Sequence, residues 1–183
     1  MKAGALRAIA ALLPLALLFE PVRLFFERDM AVHMLVEFPL LVAAGAAASR
    51  WVPEAPARVA RLGDWKGITT LLAFTLVSAF WTIPAALDAA VLDPRIAVAK
   101  YASWWLVGLA LPQALRAAPP AIILFFAGNW VWMSATAGLL YVDAPQRLCL
   151  SYMEDSQRHA GAGLLVAAVA MTIAGFVSWA RNK

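Results

Sequence analysis

Long apolar stretches alternate with short clusters of charged residues and prolines along the chain. An α-helix needs roughly 20 apolar residues to cross the hydrocarbon core of a bilayer. By this measure the pattern predicts about six transmembrane helices, near residues 6–26, 30–49, 68–87, 100–115, 119–141 and 160–180. The predicted fold is therefore all-α: a single polytopic membrane helix bundle.

The composition agrees with this prediction and excludes an ordinary soluble domain. Hydrophobic residues make up 63% of the chain and charged residues 14%, and the mean hydropathy is +0.76.

The first predicted span is interrupted by Glu20 and Arg23, whose i,i+3 spacing allows them to pair on a face turned toward the bundle. Small residues at 44–49 and 160–163 predict close helix contacts, and Pro39, Pro84 and Pro112 predict kinks.

The distribution of basic residues predicts the orientation in the membrane. With six spans, nine of the 15 Lys and Arg residues but only two of the 11 acidic residues fall on the side that holds both termini. Because cytoplasmic loops collect Lys and Arg, both termini are expected in the cytoplasm. The basic pI of about 9.6 follows from this topology and gives no support for nucleic-acid binding.

A stripe of potential metal ligands lies in the second predicted span. Asp29, His33 and Glu37 are spaced four residues apart and share one helical face, with Met30 and Met34 beside it. Ionisable groups at such depth usually mark a functional site. Asp88 and His159 are expected at the same outer face of the membrane, so the sequence predicts an external-side metal site with the candidate ligands His33, Asp29, Glu37, Met30, Met34, Asp88 and His159.

Each of these residues also has a purely structural interpretation. His33 can form a neutral hydrogen bond with a carboxylate or a backbone carbonyl, and the methionines can serve only in packing. Asp88 can be a helix-end residue, and His159 can belong to the polar end of the last helix. The single cysteine, Cys149, is expected to be a buried, inert thiol.

Three segments resemble the membrane proteins related to the caa3-type cytochrome c oxidase assembly factor. The stretch from Asp29 to Gly45 is similar to a His-Met-x-Gln-His-Met helix that runs into Pro-Leu-Leu and Gly. The stretch from Phe80 to Pro94 is similar to a Trp-His-x-Pro segment that ends in an Asp/Asn-Pro turn. The stretch from Glu154 to Gly161 is similar to an Asp- and Gln-rich start of the last helix, followed by Ala-Gly.

The resemblance covers roughly residues 28–165 and implies a helical bundle that delivers copper to a membrane oxidase. Several positions depart from the family pattern: Asp29 and Thr82 stand where the family has histidines, and Lys100 and Tyr101 stand at acidic and histidine positions. Only His33 remains of the histidine pair in the first segment.

Three classes of function are consistent with these features, and none is enzymatic. The first is a copper-binding protein of the bacterial inner (plasma) membrane that receives copper at a periplasm-facing site centred on His33 and assists an oxidase-like client. The second is a b-type haem protein with His33 and His159 as axial ligands. The third is a non-catalytic accessory subunit of a larger respiratory or oxygenase complex. In each case the expected partners are the lipid bilayer and membrane proteins, and no nucleic acid is expected.

Overall fold

The computed structural model describes residues 13–17, 19–51 and 63–181, and these ranges are helical throughout apart from short connections. The predicted all-α class is therefore confirmed. The helices are α1 (Leu13–Leu17), α2 (Glu20–Glu27), α3 (Met30–Ala48), α4 (Ile68–Trp81), α5 (Pro84–Leu92), α6 (Pro94–Ala117), α7 (Pro120–Asp143) and α8 (Glu154–Arg181). Much of the first predicted span lies outside the described residues, and its described part forms α1 and α2 with a break at Phe19.

Three of these helices are long and apolar enough to cross a membrane, namely α3, α7 and the Glu154–Ser178 part of α8. The pair formed by Trp65–Trp81 and α5 gives a fourth span if the bent pair is counted as one. The chain is thus a membrane protein with three or four such spans within the described residues, where the sequence predicts six for the whole chain.

The predicted kink in the span 68–87 is confirmed, because the chain bends by 78° after Trp81 and divides the span into α4 and α5. Pro84 has no N–H to donate and disfavours helical backbone in the preceding residue, so α4 cannot run on into α5. The carbonyl of Thr82, which the break leaves without a helical partner, accepts a hydrogen bond of 2.5 Å from the hydroxyl of Tyr141. The bond gives this carbonyl a hydrogen-bond donor from within the protein, because lipid chains have none to offer.

Helix α6 starts six residues before the predicted span 100–115. Asp93 precedes it, and its carboxylate accepts a hydrogen bond from the backbone N–H of Arg95 at 2.8 Å. The sequence pattern missed this first part because Arg95 and Lys100 interrupt the apolar run, yet Lys100 is fully buried. Helix α6 packs against α3, α4 and α5, and therefore lies at the centre of one half of the bundle.

The predicted close contacts between small residues are confirmed at two helix pairs. In α3 and α6, a Cβ on Gly45 or on Gly108 would clash with the backbone of the facing helix. In α7 and α8, a Cβ on Gly138 would lie 2.8 Å from the carbonyl oxygen of Gly161. Side chains at these positions would force the helices apart.

Candidate functional site

Four ionisable side chains meet in the interior, and we call them the ion cluster: Glu27, His33, Glu37 and Lys100. Glu27 is the last residue of α2, His33 and Glu37 belong to α3, and Lys100 belongs to α6. His33, Glu37 and Lys100 are fully buried, and Glu27 retains 5% of its exposure. The cluster is therefore enclosed by protein.

Helix α3 changes its winding where it supplies the cluster. Residues His33–Glu37 form a π-helical turn between two α-helical segments. Pro39 follows this turn by two residues, and its missing N–H leaves the carbonyl four residues earlier without an α-helical partner. The turn brings His33 Nε2 and Glu37 Oε2 to 3.2 Å of each other, so the predicted common face of these two residues is confirmed.

Lys100 reaches into the centre of the cluster. Its Nζ lies 2.8 Å from Glu27 Oε1, 2.7 Å from His33 Nε2, and 3.3 Å and 3.4 Å from the two oxygens of Glu37. A protonated lysine has three N–H donors, and three side chains here offer acceptors for them. It also lies 4.6 Å from the ring centroid of Tyr101.

Both ring nitrogens of His33 have polar neighbours. Nε2 lies 2.7 Å from Lys100 Nζ and 3.2 Å from Glu37 Oε2. Nδ1 contacts the hydroxyl oxygen of Tyr152. The ring also packs edge-on against Phe38 at a centroid distance of 5.3 Å. His33 is thus held at both nitrogens.

Glu27 has two further neighbours. Arg23 Nε lies 3.5 Å from Glu27 Oε2, and the hydroxyl of Tyr101 donates to Glu27 Oε1 at 3.3 Å. Arg23 therefore pairs with Glu27 one turn later, and the expected pair with Glu20 does not form, because Glu20 is exposed. The two carboxylates of the cluster face Lys100 inside it and Arg23 at its edge, and these two side chains offset the cost of burying charge.

Three of the predicted ligands on α3 have other roles. Asp29 is the N-cap of α3, where Oδ1 accepts from the backbone N–H groups of Ala31 and Val32 and Oδ2 accepts from the hydroxyl of Ser156. Met30 and Met34 are buried in the apolar core. The structure therefore shows Asp29 as a capping residue and the two methionines as packing residues.

Asp88 and His159 lie apart from the ion cluster. The carboxylate of Asp88 accepts from the backbone N–H groups of Leu150 and Ser151 at 2.6 and 2.9 Å. His159 is exposed on the first turns of α8. Among the described residues, only Glu27, His33 and Glu37 form a group of three His, Cys, Asp or Glu side chains with ligand atoms within 4.8 Å of one another.

The loop between α7 and α8 is held in place by two buried polar side chains. Asp88 binds the loop as described above, and Gln157 accepts from the N–H of Leu148 at 2.7 Å while donating to the carbonyl of Tyr141 at 3.2 Å. Between these anchors the loop carries Tyr152 to His33. Asp88 thus helps to position Tyr152 against His33, although Asp88 itself is not part of the ion cluster.

The cluster contains side chains that can bind a metal ion, but the ammonium group of Lys100 occupies the position between them. An imidazole and two carboxylates are ligands for zinc, manganese, iron(II) or copper(II), yet all three surround the ammonium group of Lys100. With Lys100 in this position the residues do not fit a resident copper ion. For the haem alternative, His159 is exposed while His33 is fully buried, and both ring nitrogens of His33 contact other side chains.

Glu27, Lys100, Tyr101 and Tyr152 are the contributors that the sequence analysis missed as site residues. A signal existed for Lys100, because a lone lysine inside an apolar helix requires a buried partner. Glu27 follows Arg23 by one helical turn, which is only weak support for a site. Nothing in the sequence places Tyr152, a loop residue, on His33.

Comparison with known proteins gave no match to a family model, a curated protein or a solved structure. The resemblance to the oxidase assembly factor family remains a prediction from the three motifs.

Proposed function

We propose that the protein is a non-enzymatic accessory protein of a larger membrane complex, with the ion cluster as an internal structural device. The observation that carries this proposal is the position of Lys100, whose Nζ lies 2.7 to 2.8 Å from Glu27 and His33. A cluster whose carboxylates are paired with Lys100 and with the adjacent Arg23 leaves no open position for a ligand or substrate. Its role is then to fix α2, α3 and α6 against one another.

The surface of α7 is consistent with a partner in the membrane. In a helix of 24 residues, only Ser134, Gly138 and Tyr141 are buried. Exposed side chains of α7 such as Leu124, Phe125 and Trp132 are available to lipid or to another membrane protein. In an accessory subunit, part of such a surface contacts the complex.

Purification of the tagged full-length chain from its native membranes tests this proposal. In mild detergent, we expect the chain to migrate in an assembly well above its own 19.7 kDa and to retain the same partners at fixed stoichiometry through a second purification step. Migration as a single chain in several mild detergents and in lipid nanodiscs would overturn the proposal.

Copper delivery is the second candidate, because Glu27, His33 and Glu37 form a ligand group in the described part of the chain. In this function Lys100 has to leave the cluster before copper binds. Elemental analysis after copper exposure and washing, for the wild type beside His33→Ala, tests it. About one copper ion per chain that is lost in the variant supports delivery, and a wild type without copper excludes it.

For the topology, we propose six crossings with both termini in the cytoplasm and the ion cluster in the outer half. Helix α6 adds one crossing to the four candidate spans of the described residues, because 24 residues at about 1.5 Å rise span roughly 36 Å and its Lys100 is buried inside the protein. Reporter fusions after residues 51, 92, 118 and 148 test this arrangement. Cytoplasmic signals at 51 and 118 with external signals at 92 and 148 are expected, and any other alternation contradicts it.

A further inference from the structure

We infer that Lys100 occupies the cation position of a latent divalent-metal site formed by Glu27, His33 and Glu37. Replacing Lys100 by a residue without its ammonium group is then expected to make the protein bind one metal ion such as Zn²⁺ or Co²⁺. This inference goes beyond the accessory function proposed above and does not depend on it.

The donor atoms already point at one place. Glu27 Oε1, His33 Nε2 and Glu37 Oε2 lie 2.8, 2.7 and 3.3 Å from Lys100 Nζ, on three sides of one cationic group. Zinc–nitrogen and zinc–oxygen bonds are about 2.0 to 2.2 Å long, so an ion in this place needs the three side chains to move inward by only about 1 Å. These three donors leave a fourth position for water or for an introduced ligand.

The groups around the donors resemble the surroundings of a metal site. Tyr152 holds His33 at Nδ1, which leaves Nε2 directed at the cation position. Arg23 Nε lies 3.5 Å from Glu27 Oε2, and the hydroxyl of Tyr101 donates to Oε1, the oxygen that also faces Lys100, at 3.3 Å. Metal ligands are usually oriented by neighbouring polar groups of this kind, and losing them weakens metal affinity. The cluster therefore needs little reorganisation to accept an ion.

Lys100 itself explains why the wild type should exclude the ion. Its side chain is fully buried, so it cannot leave the centre without opening the contact between α3 and α6. A divalent ion beside the ammonium group would be repelled by it, and a metal bound to the lysine nitrogen would require the loss of its proton. Removing the ammonium group removes both obstacles and leaves the carboxylates without their buried counter-ion.

The test uses detergent-purified full-length protein with Lys100→Ala and, as a second variant, Lys100→His, which adds a possible fourth ligand. Lys100→Arg is the matched control because it keeps a cation, and Lys100→Ala/His33→Ala lacks a ligand. After incubation with Zn²⁺ and gel filtration, we expect about one zinc per chain in the first two variants and a small fraction of that in the wild type and both controls. Excess Zn²⁺ should raise the Tm of those two variants only, and Co²⁺ should give them a visible absorption band.

The inference can still be tested if Lys100→Ala and Lys100→His are unstable. If Lys100→Ala or Lys100→His folds only when Zn²⁺ is present during solubilisation, the metal replaces the ammonium group as inferred. If both variants stay without bound metal when folded, or fail to fold even with Zn²⁺, the inference is wrong. Zinc binding by the wild type and Lys100→Arg at the level of Lys100→Ala and Lys100→His would also overturn it. None of these results changes the co-purification on which the accessory function is tested.

Discussion

The two halves of the α7–α8 pair differ in how closely they pack. In the half near the ion cluster, the backbones of Gly138 and Gly161 meet, and Tyr141 and Gln157 form hydrogen bonds to neighbouring segments. In the other half, a Cβ on Gly128 or on Gly175 would meet nothing within 4 Å. An open apolar groove of about 580 Å³ lies there, between residues such as Leu124 and Met171.

This difference shows what holds helices together in lipid. Apolar side chains gain little free energy by moving from lipid to protein. Close helix contact therefore forms where small residues let the backbones approach or where polar side chains form hydrogen bonds inside the protein. The half near the ion cluster has both features, whereas in the other half Gly128 and Gly175 face open space. Perturbations of the first half are therefore expected to cost far more than equivalent changes in the second half or on the surface.

The largest effect is expected for Lys100→Ala in buffer free of metal ions. Removing one partner of a buried ion pair leaves uncompensated charge and typically costs about 3 to 5 kcal/mol. Thermal or SDS-induced unfolding in detergent measures this loss. The matched control is Arg158→Ala, which breaks an exposed i,i+4 pair with Glu154 at 2.6 Å and should cost less than about 1 kcal/mol. Equal losses in both variants would contradict the view that the cluster stabilises the fold.

Gly161→Leu is expected to have the next largest effect. A Cβ at this position would lie 2.7 Å from the carbonyl oxygen of Gly138 and 2.9 Å from Cβ of Tyr141, so the two helices must separate. Overpacking of this kind costs about 1 to 3 kcal/mol. Gly128→Leu places the same side chain in open space and should leave the free energy of unfolding nearly unchanged. Unfolding curves that coincide for both variants would remove the distinction between the two halves.

Tyr152→Phe tests how firmly the loop holds His33. The variant removes the hydroxyl that contacts Nδ1, and the loss of one hydrogen bond costs about 1 kcal/mol. Tyr101→Phe serves as the control, because its 3.3 Å bond is long and Glu27 Oε1 keeps Lys100 as a partner. A larger loss for Tyr101→Phe than for Tyr152→Phe would argue against the role assigned to the loop.

The smallest effect concerns the thiol of Cys149, which lies in the same loop and is fully buried. Burial raises the pKa of Cys149 to about 12, and the carboxylate of Asp88 adds to the rise. The neutral thiol is thus favoured in the folded protein, and its contribution to stability is lost only as the pH rises from about 9 toward 12. Alkylation by iodoacetamide at pH 8, followed by mass spectrometry, should be slow in the folded protein and fast in SDS. Rapid labelling of folded protein would show that the loop is open.

The sequence pattern predicted part of the site because part of the site is local. His33 and Glu37 are four residues apart, and any helical winding close to 3.6 residues per turn places them side by side. The apolar runs likewise predicted α3, α7 and α8 to within a few residues, apart from the earlier start of α8. Asp29 fitted the same spacing but became an N-cap, because a residue that precedes a helix can bind its free N–H groups.

The sequence alone determined that the chain is an all-helical membrane protein, where its apolar runs lie, and that His33 and Glu37 share a face. Only the tertiary structure decided which side chains surround these two residues. Lys100 is 67 residues from His33 in sequence, and Tyr152 is 119 residues away. Such contacts depend on which helices pack together and on where Pro84 bends the chain, and neither periodicity nor local propensity encodes them. His33 and Glu37 indicated an open metal site in the sequence, and in the folded protein they form a closed cluster with Glu27 and Lys100.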